Sequence, residues 1–117
     1  MLLRMPNKLS PRLTAVVDAL PLRTGLRVLE IGCGPGAAAR EIAVRIAPGY
    51  VLGIDRSRTA IAQARAACAD LLKSKHMGLR CVAIEDFALA TDEPPYFCTT
   101  RGTAVPVLSG RAVISRV

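Results

Sequence analysis

The sequence predicts an α/β fold in which helices flank a parallel β-sheet. Three short apolar segments each carry an acidic residue at or just after their end, and apolar residues recur at helical spacing between them. The first apolar segment leads directly into a turn with glycines at alternate positions, Gly32, Gly34 and Gly36. Strands that alternate with amphipathic helices are typical of parallel β-α-β units with right-handed crossovers.

The first predicted elements are a helix and a buried strand. Ser10 and Pro11 have the residue types of a helix N-cap and of the first helical position. The apolar residues that follow recur at helical spacing: Leu13, Val16, Val17 and Leu20. Pro21 ends this helix, and the next strand is predicted over residues 26–31.

Two further helix–strand pairs follow the glycine turn. A second helix is predicted over residues 36–47, and a strand over residues 50–55 follows it. Ser57 is placed to cap a third helix over residues 59–75. A third strand is predicted over residues 79–84. The acids at or near the three strand ends are Glu30, Asp55 and the pair Glu85 and Asp86.

Length and composition exclude several classes of protein. The 117 residues are enough for one modest domain, and no apolar run reaches the roughly 18 residues of a membrane span. The four cysteines show neither paired nor metal-ligand spacing, so we predict no metal site and a cytoplasmic protein with free thiols. The formal net charge of +7 allows a nucleic-acid partner, but the basic residues are scattered and aromatic residues are rare. We therefore do not favour nucleic acid.

The glycine turn is typical of nucleotide-binding α/β proteins. Residues 30–36 read Glu-Ile-Gly-Cys-Gly-Pro-Gly, whereas a dinucleotide fingerprint has the spacing G-x-G-x-x-G. An acid two residues before the first of three glycines, after an apolar strand, resembles motif I of the class I S-adenosylmethionine-dependent methyltransferases. The resemblance covers residues 9–96. It implies a Rossmann-like sheet, S-adenosylmethionine as cofactor, and methyl transfer as the activity.

The same resemblance assigns cofactor contacts to the strand ends. It places the loop residues Gly32, Cys33, Gly34 and Gly36 against the cofactor. Asp55 would accept hydrogen bonds from the ribose hydroxyls, although an acid before Arg56 and Ser57 is also suited to capping a helix. Asp86 and the N–H of Phe87 would meet the adenine, although a solvated turn acid is the alternative interpretation of Asp86 and Glu85 remains an alternative residue.

Three of these assignments leave alternatives open. Glu30 would face the cationic amino group of the methionine portion, or would only fix the glycine loop. Arg56 would lie along the adenine, or would simply be exposed. The Cys33 side chain is expected to pack rather than to react.

No catalytic cluster is visible, so the catalytic residues remain unknown. Methyl transfer from a sulfonium is a direct displacement that depends chiefly on positioning the acceptor in line with the methyl–sulfur bond. The absence of an acid–base cluster is therefore compatible with a methyltransferase. We predict a small-molecule methyl acceptor.

The end of the chain departs from the family pattern. Related proteins continue after an aromatic residue such as Tyr96 with an acid-led fourth strand, whereas residues 97–117 contain arginines and no acid. We therefore predict a cofactor-binding half-domain over residues 1–96 and an atypical basic tail over 97–117. The tail is expected either to form a short β-hairpin or to be disordered. The tail is predicted to lack the family's fourth strand, with short strands over residues 104–108 and 112–114 instead.

This departure suggests an incomplete, truncated methyltransferase fold, equivalent to the N-terminal half of the family's sheet. A shifted reading frame near Tyr96 would explain the change in composition. The first strand would then have an exposed flank that invites homodimerisation, unless the tail pairs there. Two alternative functions are a non-catalytic binding or dimerisation module with a vestigial cofactor pocket, and an NAD-dependent oxidoreductase.

Overall fold

A computed structural model describes residues 9–88, 94, 96–100 and 103–106 of the chain. The helices are α1 (Pro11–Asp18), α2 (Ala37–Ile46), α3 (Arg58–Ala67) and α4 (Ala69–Lys73), with a 3-10 turn at Ile84–Asp86. The strands are β1 (Arg27–Ile31), β2 (Tyr50–Asp55), β3 (Met77–Cys81), β4 (Phe97–Thr100) and β5 (Thr103–Pro106).

The strands form one sheet in the order β3-β2-β1-β4-β5. β1 pairs in parallel with both β2 and β4, β2 pairs in parallel with β3, and β5 runs antiparallel to β4. The α/β fold predicted from the sequence is confirmed. The carboxyl ends of four parallel strands therefore meet at one edge of the sheet, which is where open α/β sheets bind ligands.

The start of the chain folds as its residue types predict. The Ser10 side chain accepts a hydrogen bond from the N–H of Leu13 at 3.2 Å, and Pro11 occupies the first helical position. α1 ends at Asp18, two residues before its apolar stripe reaches Leu20, and Leu20 still packs in the core. α1 therefore lies against α2 and brings its apolar stripe over the helix-covered face of the sheet.

Side chains of the central strands alternate between two buried layers. Val28 on β1 joins the core that α1, α2 and α3 cover, whereas Leu29 joins a second cluster on the opposite face. The members of the second cluster are Leu29, Leu52, Ile54, Tyr96 and Cys98. This alternation places Glu30 on the same face as Val28, beneath the helices.

Two predicted boundaries differ from the structure. β3 begins at Met77 and ends at Cys81, whereas the predicted strand spans residues 79–84, so Met77 is a buried strand residue and residues 82–84 leave the sheet. Asp55 is the last residue of β2 and is paired with Cys81. Because β2 ends there, residues of the chain after Cys81 have no strand partner on β2. The predicted third helix is divided at Cys68, whose φ of −115° and ψ of 23° are not helical.

The tail contributes a strand beside β1, which the sequence left open, although no strand was predicted over residues 97–100. β4 begins at Phe97, immediately after the predicted boundary at residue 96, and pairs in parallel with β1 over Val28–Ile31. The tail therefore pairs with the flank of β1 that would otherwise have been exposed. Of the two strands predicted further along, the one over residues 104–108 overlaps β5, and the one over 112–114 lies outside the described residues.

Candidate active site

The glycine turn after β1 is held against the end of β2 by backbone hydrogen bonds. The N–H groups of Gly32 and Cys33 both donate to the carbonyl of Ile54, at 2.8 and 3.0 Å. The N–H of Gly36 donates to the carbonyl of Cys33 at 3.2 Å and closes the turn. Gly32, Gly34 and Gly36 have φ angles of 74°, 57° and 94°, which residues with a Cβ rarely adopt.

The three glycines face different surroundings. A Cβ built on Gly32 or Gly34 would meet no atom within 4 Å, so these two glycines border open space. A Cβ on Gly36 would lie 3.1 Å from the Cβ of Ala64 and 3.2 Å from the Sγ of Cys68. Gly36 therefore allows α2 to start close to α3, whereas Gly32 and Gly34 leave room for a ligand.

Asp55 connects the end of β2 to the glycine turn. Its Oδ2 accepts a hydrogen bond from the N–H of Gly34 at 2.9 Å, and its Oδ1 accepts one from the N–H of Ser57, also at 2.9 Å. Ser57, not Asp55, caps α3 by accepting from the N–H of Ala60 at 3.1 Å. Since a carboxylate has about four acceptor positions, Asp55 retains capacity for ligand hydroxyls.

Glu30 is a half-buried acid of the site with one fully buried oxygen. Its Oε1 is inaccessible to solvent and has no hydrogen-bond partner among the described residues. Burial, and secondarily the negative charge of Asp55, raises the pKa of Glu30 to about 8. Glu30 is therefore largely protonated at neutral pH, and a bound cation would favour its ionised form.

Glu30 borders a cavity of about 270 Å³ that lies between the glycine turn and α1. The remaining walls are mostly apolar, and the residues that line the cavity are Leu13, Val16, Val17, Leu20, Glu30, Gly32, Cys33, Gly34, Pro35, Ala37, Ala38, Ile42 and Thr99. No side-chain hydrogen bond caps the N-terminus of α2, where Ala37 and Ala38 border this space. The cavity thus combines an acid with one buried oxygen, apolar walls and a helix N-terminus that favours negative charge.

Cys33 packs as the sequence analysis expected. It is buried, and its Sγ and Cβ would each lie 3.0 Å from a Cβ built on Gly53 of β2. Burial, followed by the charges of Glu30 and Asp55, raises the pKa of the Cys33 thiol to about 12. A thiol that stays protonated is a poor nucleophile, so this side chain fills space above Gly53.

The predicted adenine contacts lie apart from the cavity. Asp86 is exposed in the 3-10 turn, and the N–H of Phe87 donates to the carbonyl of Ile84 at 3.2 Å. The guanidinium of Arg80 lies 5.4 Å from the centroid of the Phe87 ring. Arg56 is exposed, and its carbonyl lies 3.6 Å from the Sγ of Cys81.

The structure therefore brings together one part of the predicted site and separates another. Glu30, Gly32, Cys33 and Gly34 border one cavity, and Asp55 is hydrogen-bonded to its glycine turn. Asp86, Phe87 and Arg56 do not line that cavity.

Sequence reasoning missed Thr99 and the role of α1. Thr99 lies on the strand that was not predicted, and among the three threonines in residues 97–117 nothing in the sequence singles it out. Leu13 and Val16 were interpreted only as the apolar stripe of a helix, although they also line the cavity that Glu30 borders. The only sequence feature that could have indicated this role is the helical spacing of these apolar residues shortly before the glycine turn.

The described residues show neither a metal-binding cluster nor a membrane-spanning helix. No group of three or more His, Cys, Asp or Glu residues in this part of the chain is arranged to hold a metal ion. Among the helices that the structure describes, none has the length and apolar character needed to cross a membrane.

A family model described as a methyltransferase domain matches residues 28–101, from β1 through the end of β4. An uncharacterized 37.1 kDa protein in transposon TN4556 of Streptomyces fradiae is 42% identical over 53 residues, which are 44% of this chain and 15% of that protein. Trans-aconitate 2-methyltransferase of Delftia acidovorans is 33% identical over 63 residues, which are 54% of this chain and 24% of that protein. The chain thus spans a quarter or less of these curated relatives.

A solved structure shows the same fold. The S-adenosylmethionine-dependent methyltransferase of Geobacter sulfurreducens, solved in complex with S-adenosyl-L-homocysteine, superposes with a TM-score of 0.57 at 27% identity. The match covers 76% of this chain and 36% of that one. The similarity extends beyond residue 96, where the sequence analysis placed its end, because the family model includes β4.

Proposed function

Because this chain belongs to the class I S-adenosylmethionine-dependent methyltransferase family, we propose that it binds S-adenosylmethionine at the carboxyl edge of its sheet. The observation that carries the proposal is the solvent-inaccessible Oε1 of Glu30, which lacks a partner among the described residues and belongs to a residue bordering a cavity beside the glycine turn. A buried acceptor without a partner is costly, and a cationic ligand group would satisfy it. The structure of the relative with bound S-adenosyl-L-homocysteine supports the same cofactor.

The cavity suits the methionine portion of the cofactor. Glu30 would accept hydrogen bonds from the ammonium group, and the apolar walls from α1 and Ile42 would contact the methylene groups. The uncapped N-terminus of α2 would face the carboxylate, since the first N–H groups of a helix have no intrahelical partners. These three features together match a zwitterionic amino acid better than a phosphate, which brings no cationic group to Glu30.

Asp55 would hold the ribose and shape the turn at the same time. Its two oxygens already accept from Gly34 and Ser57, which fixes the carboxylate beside the open space at Gly32 and Gly34. The remaining acceptor positions would take the ribose hydroxyls. Asp86, Phe87 and Arg56 would form the adenine end, outside the cavity.

The bound cofactor supplies a methyl group activated by a sulfonium. The protein's contribution is to orient this group and to exclude water, for which α1 and the apolar walls of the cavity are suited. We propose a small-molecule methyl acceptor, which the name of the trans-aconitate enzyme supports. The four cysteines are free thiols, which supports a cytoplasmic location.

The experiment that tests the cofactor proposal is a calorimetric titration of the chain with S-adenosyl-L-homocysteine and, separately, with NADH. Saturable binding of the first ligand, lost in Glu30→Ala, is the expected result. Binding of NADH without binding of S-adenosyl-L-homocysteine would overturn the proposal. Transfer of a labelled methyl group to a panel of small carboxylic acids would then test the activity and the acceptor class.

A further inference from the structure

The tail strand β4 places one side chain directly beside Glu30. In the parallel sheet Glu30 is in register with Gly53 on β2 and with Thr99 on β4. Neighbouring strands lie about 4.8 Å apart and residues in register share a face of the sheet. Gly53 has no side chain, and Cys33 fills the space above it. Thr99 therefore provides the side chain nearest to Glu30 from the neighbouring strands.

Thr99 is buried, with 2% of its surface exposed, and it borders the same cavity as Glu30. A threonine hydroxyl can donate one hydrogen bond and accept others. Burial of a hydroxyl is unfavourable unless it gains a partner, so packing alone would favour valine at this buried strand position. The position of Thr99 thus indicates a polar role in the cavity.

We infer that Thr99 is a positioning residue of the cofactor site, whose hydroxyl donates a hydrogen bond to the Glu30 carboxylate when Glu30 ionises to bind a cationic ligand group. The identity of that ligand rests on the function proposed above. The pairing itself rests on the register of β1 and β4 and on the shared cavity. It makes the tail strand part of the binding site.

The surroundings of Glu30 offer it few other donors. The titratable groups that act on it electrostatically are Asp55 at the end of β2, Cys33 in the glycine turn and Cys68 after α3. The Sγ of Cys33 lies 3.7 Å from the carbonyl of Gly34, and that of Cys68 lies 3.8 Å from the carbonyl of Gly36. The residues that α1, α2 and β4 contribute to the cavity carry no charge. Thr99 is thus the available hydroxyl donor among the lining residues.

The test compares Thr99→Val, which removes the hydroxyl but keeps the shape, with Thr99→Ser, which keeps the hydroxyl. Thr59→Val on the exposed surface of α3 is the matched control. The Glu30 carboxyl is titrated by ¹³C NMR in the ligand-free chain, and the affinity for S-adenosyl-L-homocysteine is measured by calorimetry. We expect Thr99→Val to raise the pKa of Glu30 and to weaken binding about tenfold. Thr99→Ser and Thr59→Val should resemble the unsubstituted chain in both measurements.

An unchanged Glu30 titration in Thr99→Val would overturn the inference, even if binding were weaker, because weaker binding alone is compatible with altered packing. If the unsubstituted chain fails to bind S-adenosyl-L-homocysteine while Thr99→Val still raises the pKa of Glu30, the proposed function fails and the Thr99–Glu30 pairing stands. If Thr99→Val does not fold, Thr99→Ala gives the same comparison, with the same two decisive results.

Discussion

The Oδ2 atom of Asp55 lies 2.9 Å from the backbone nitrogen of Gly34, so the acid at the end of β2 holds the turn that follows β1. The second oxygen of Asp55 accepts from the N–H of Ser57 at the start of α3. One carboxylate therefore links two strand ends and the entrance of a helix. The two interpretations of Asp55 offered by the sequence, structural and ligand-binding, are compatible in this geometry.

We expect Asp55→Ala to weaken binding of S-adenosyl-L-homocysteine by about tenfold or more, because at least one hydrogen bond to a charged group is lost. The free energy of unfolding should also fall by about 1–3 kcal/mol, since two backbone donors lose their acceptor. Calorimetry and urea denaturation measure these two effects. Asp18→Asn, at an exposed ion pair with Arg45, is the control. Unchanged affinity in Asp55→Ala would rule out a ligand contact.

Gly34→Ala and Gly36→Ala should separate binding from folding. A Cβ on Gly34 would enter open space, so we expect weaker ligand binding and a stability loss of about 1–2 kcal/mol from its positive φ. A Cβ on Gly36 would press on Ala64 and Cys68, so the stability loss should be larger, about 2–4 kcal/mol. Thermal unfolding with and without ligand compares the two. Equal losses of stability would contradict this assignment.

Glu30 should make stability depend on pH. The folded chain keeps its proton to about pH 8, whereas the unfolded chain releases it near 4.5. Since the folded state binds more protons in this window, the free energy of unfolding should decrease as pH rises from about 4.5 to 8, by at most about 1.4 kcal/mol per pH unit. Above pH 8 this contribution should be constant.

Glu30→Gln provides the comparison, because glutamine is similar in shape and does not titrate. Its free energy of unfolding, measured by urea denaturation between pH 5 and 8.5, should lack this slope and should exceed that of the unsubstituted chain at pH 8. A parallel pH dependence in both proteins would show that Glu30 titrates normally.

Tyr96 should help to hold β4 against β1. The guanidinium of Arg27 on β1 lies 4.3 Å from the centroid of the Tyr96 ring and 5.5 Å from that of Tyr50. We expect Tyr96→Leu to destabilise the chain by about 0.5–2 kcal/mol and to lower hydrogen-exchange protection of β4 more than that of β2. Tyr96→Phe keeps the ring and should have a smaller effect. Equal effects of the two substitutions would exclude a contribution from the ring.

The sequence predicted the elements that local chemistry defines. Ser10 and Ser57 cap their helices as expected, and the strands β1 and β2 lie where apolar runs precede the glycine turn and Asp55. A distant contact accompanies the division of the third helix at Cys68. Arg40 on α2 donates to the carbonyl of Ala67 at 3.2 Å, which occupies an acceptor that a continuous helix would use.

β4 was missed for a similar reason. Four residues, Phe-Cys-Thr-Thr, carry too little periodicity to identify a strand, and its place is set by β1 and by Tyr96 packing on the far face of the sheet. Thr99 and its proximity to Glu30 follow from that register, so no local pattern predicts them. The glycine turn, by contrast, was predictable because its residue types are demanded by positive φ angles.

The antiparallel direction of β5 determines where a probe can be attached without blocking the site. Thr103 is paired with Thr100 near the carboxyl edge, whereas Pro106 is paired with Phe97 at the other edge. β5 therefore runs away from the carboxyl edge, and Pro106 is paired three residues further from that edge than Thr103 is. A probe attached at Pro106 itself is therefore joined at the edge of the sheet away from the carboxyl ends of the parallel strands, where it should leave ligand entry unobstructed.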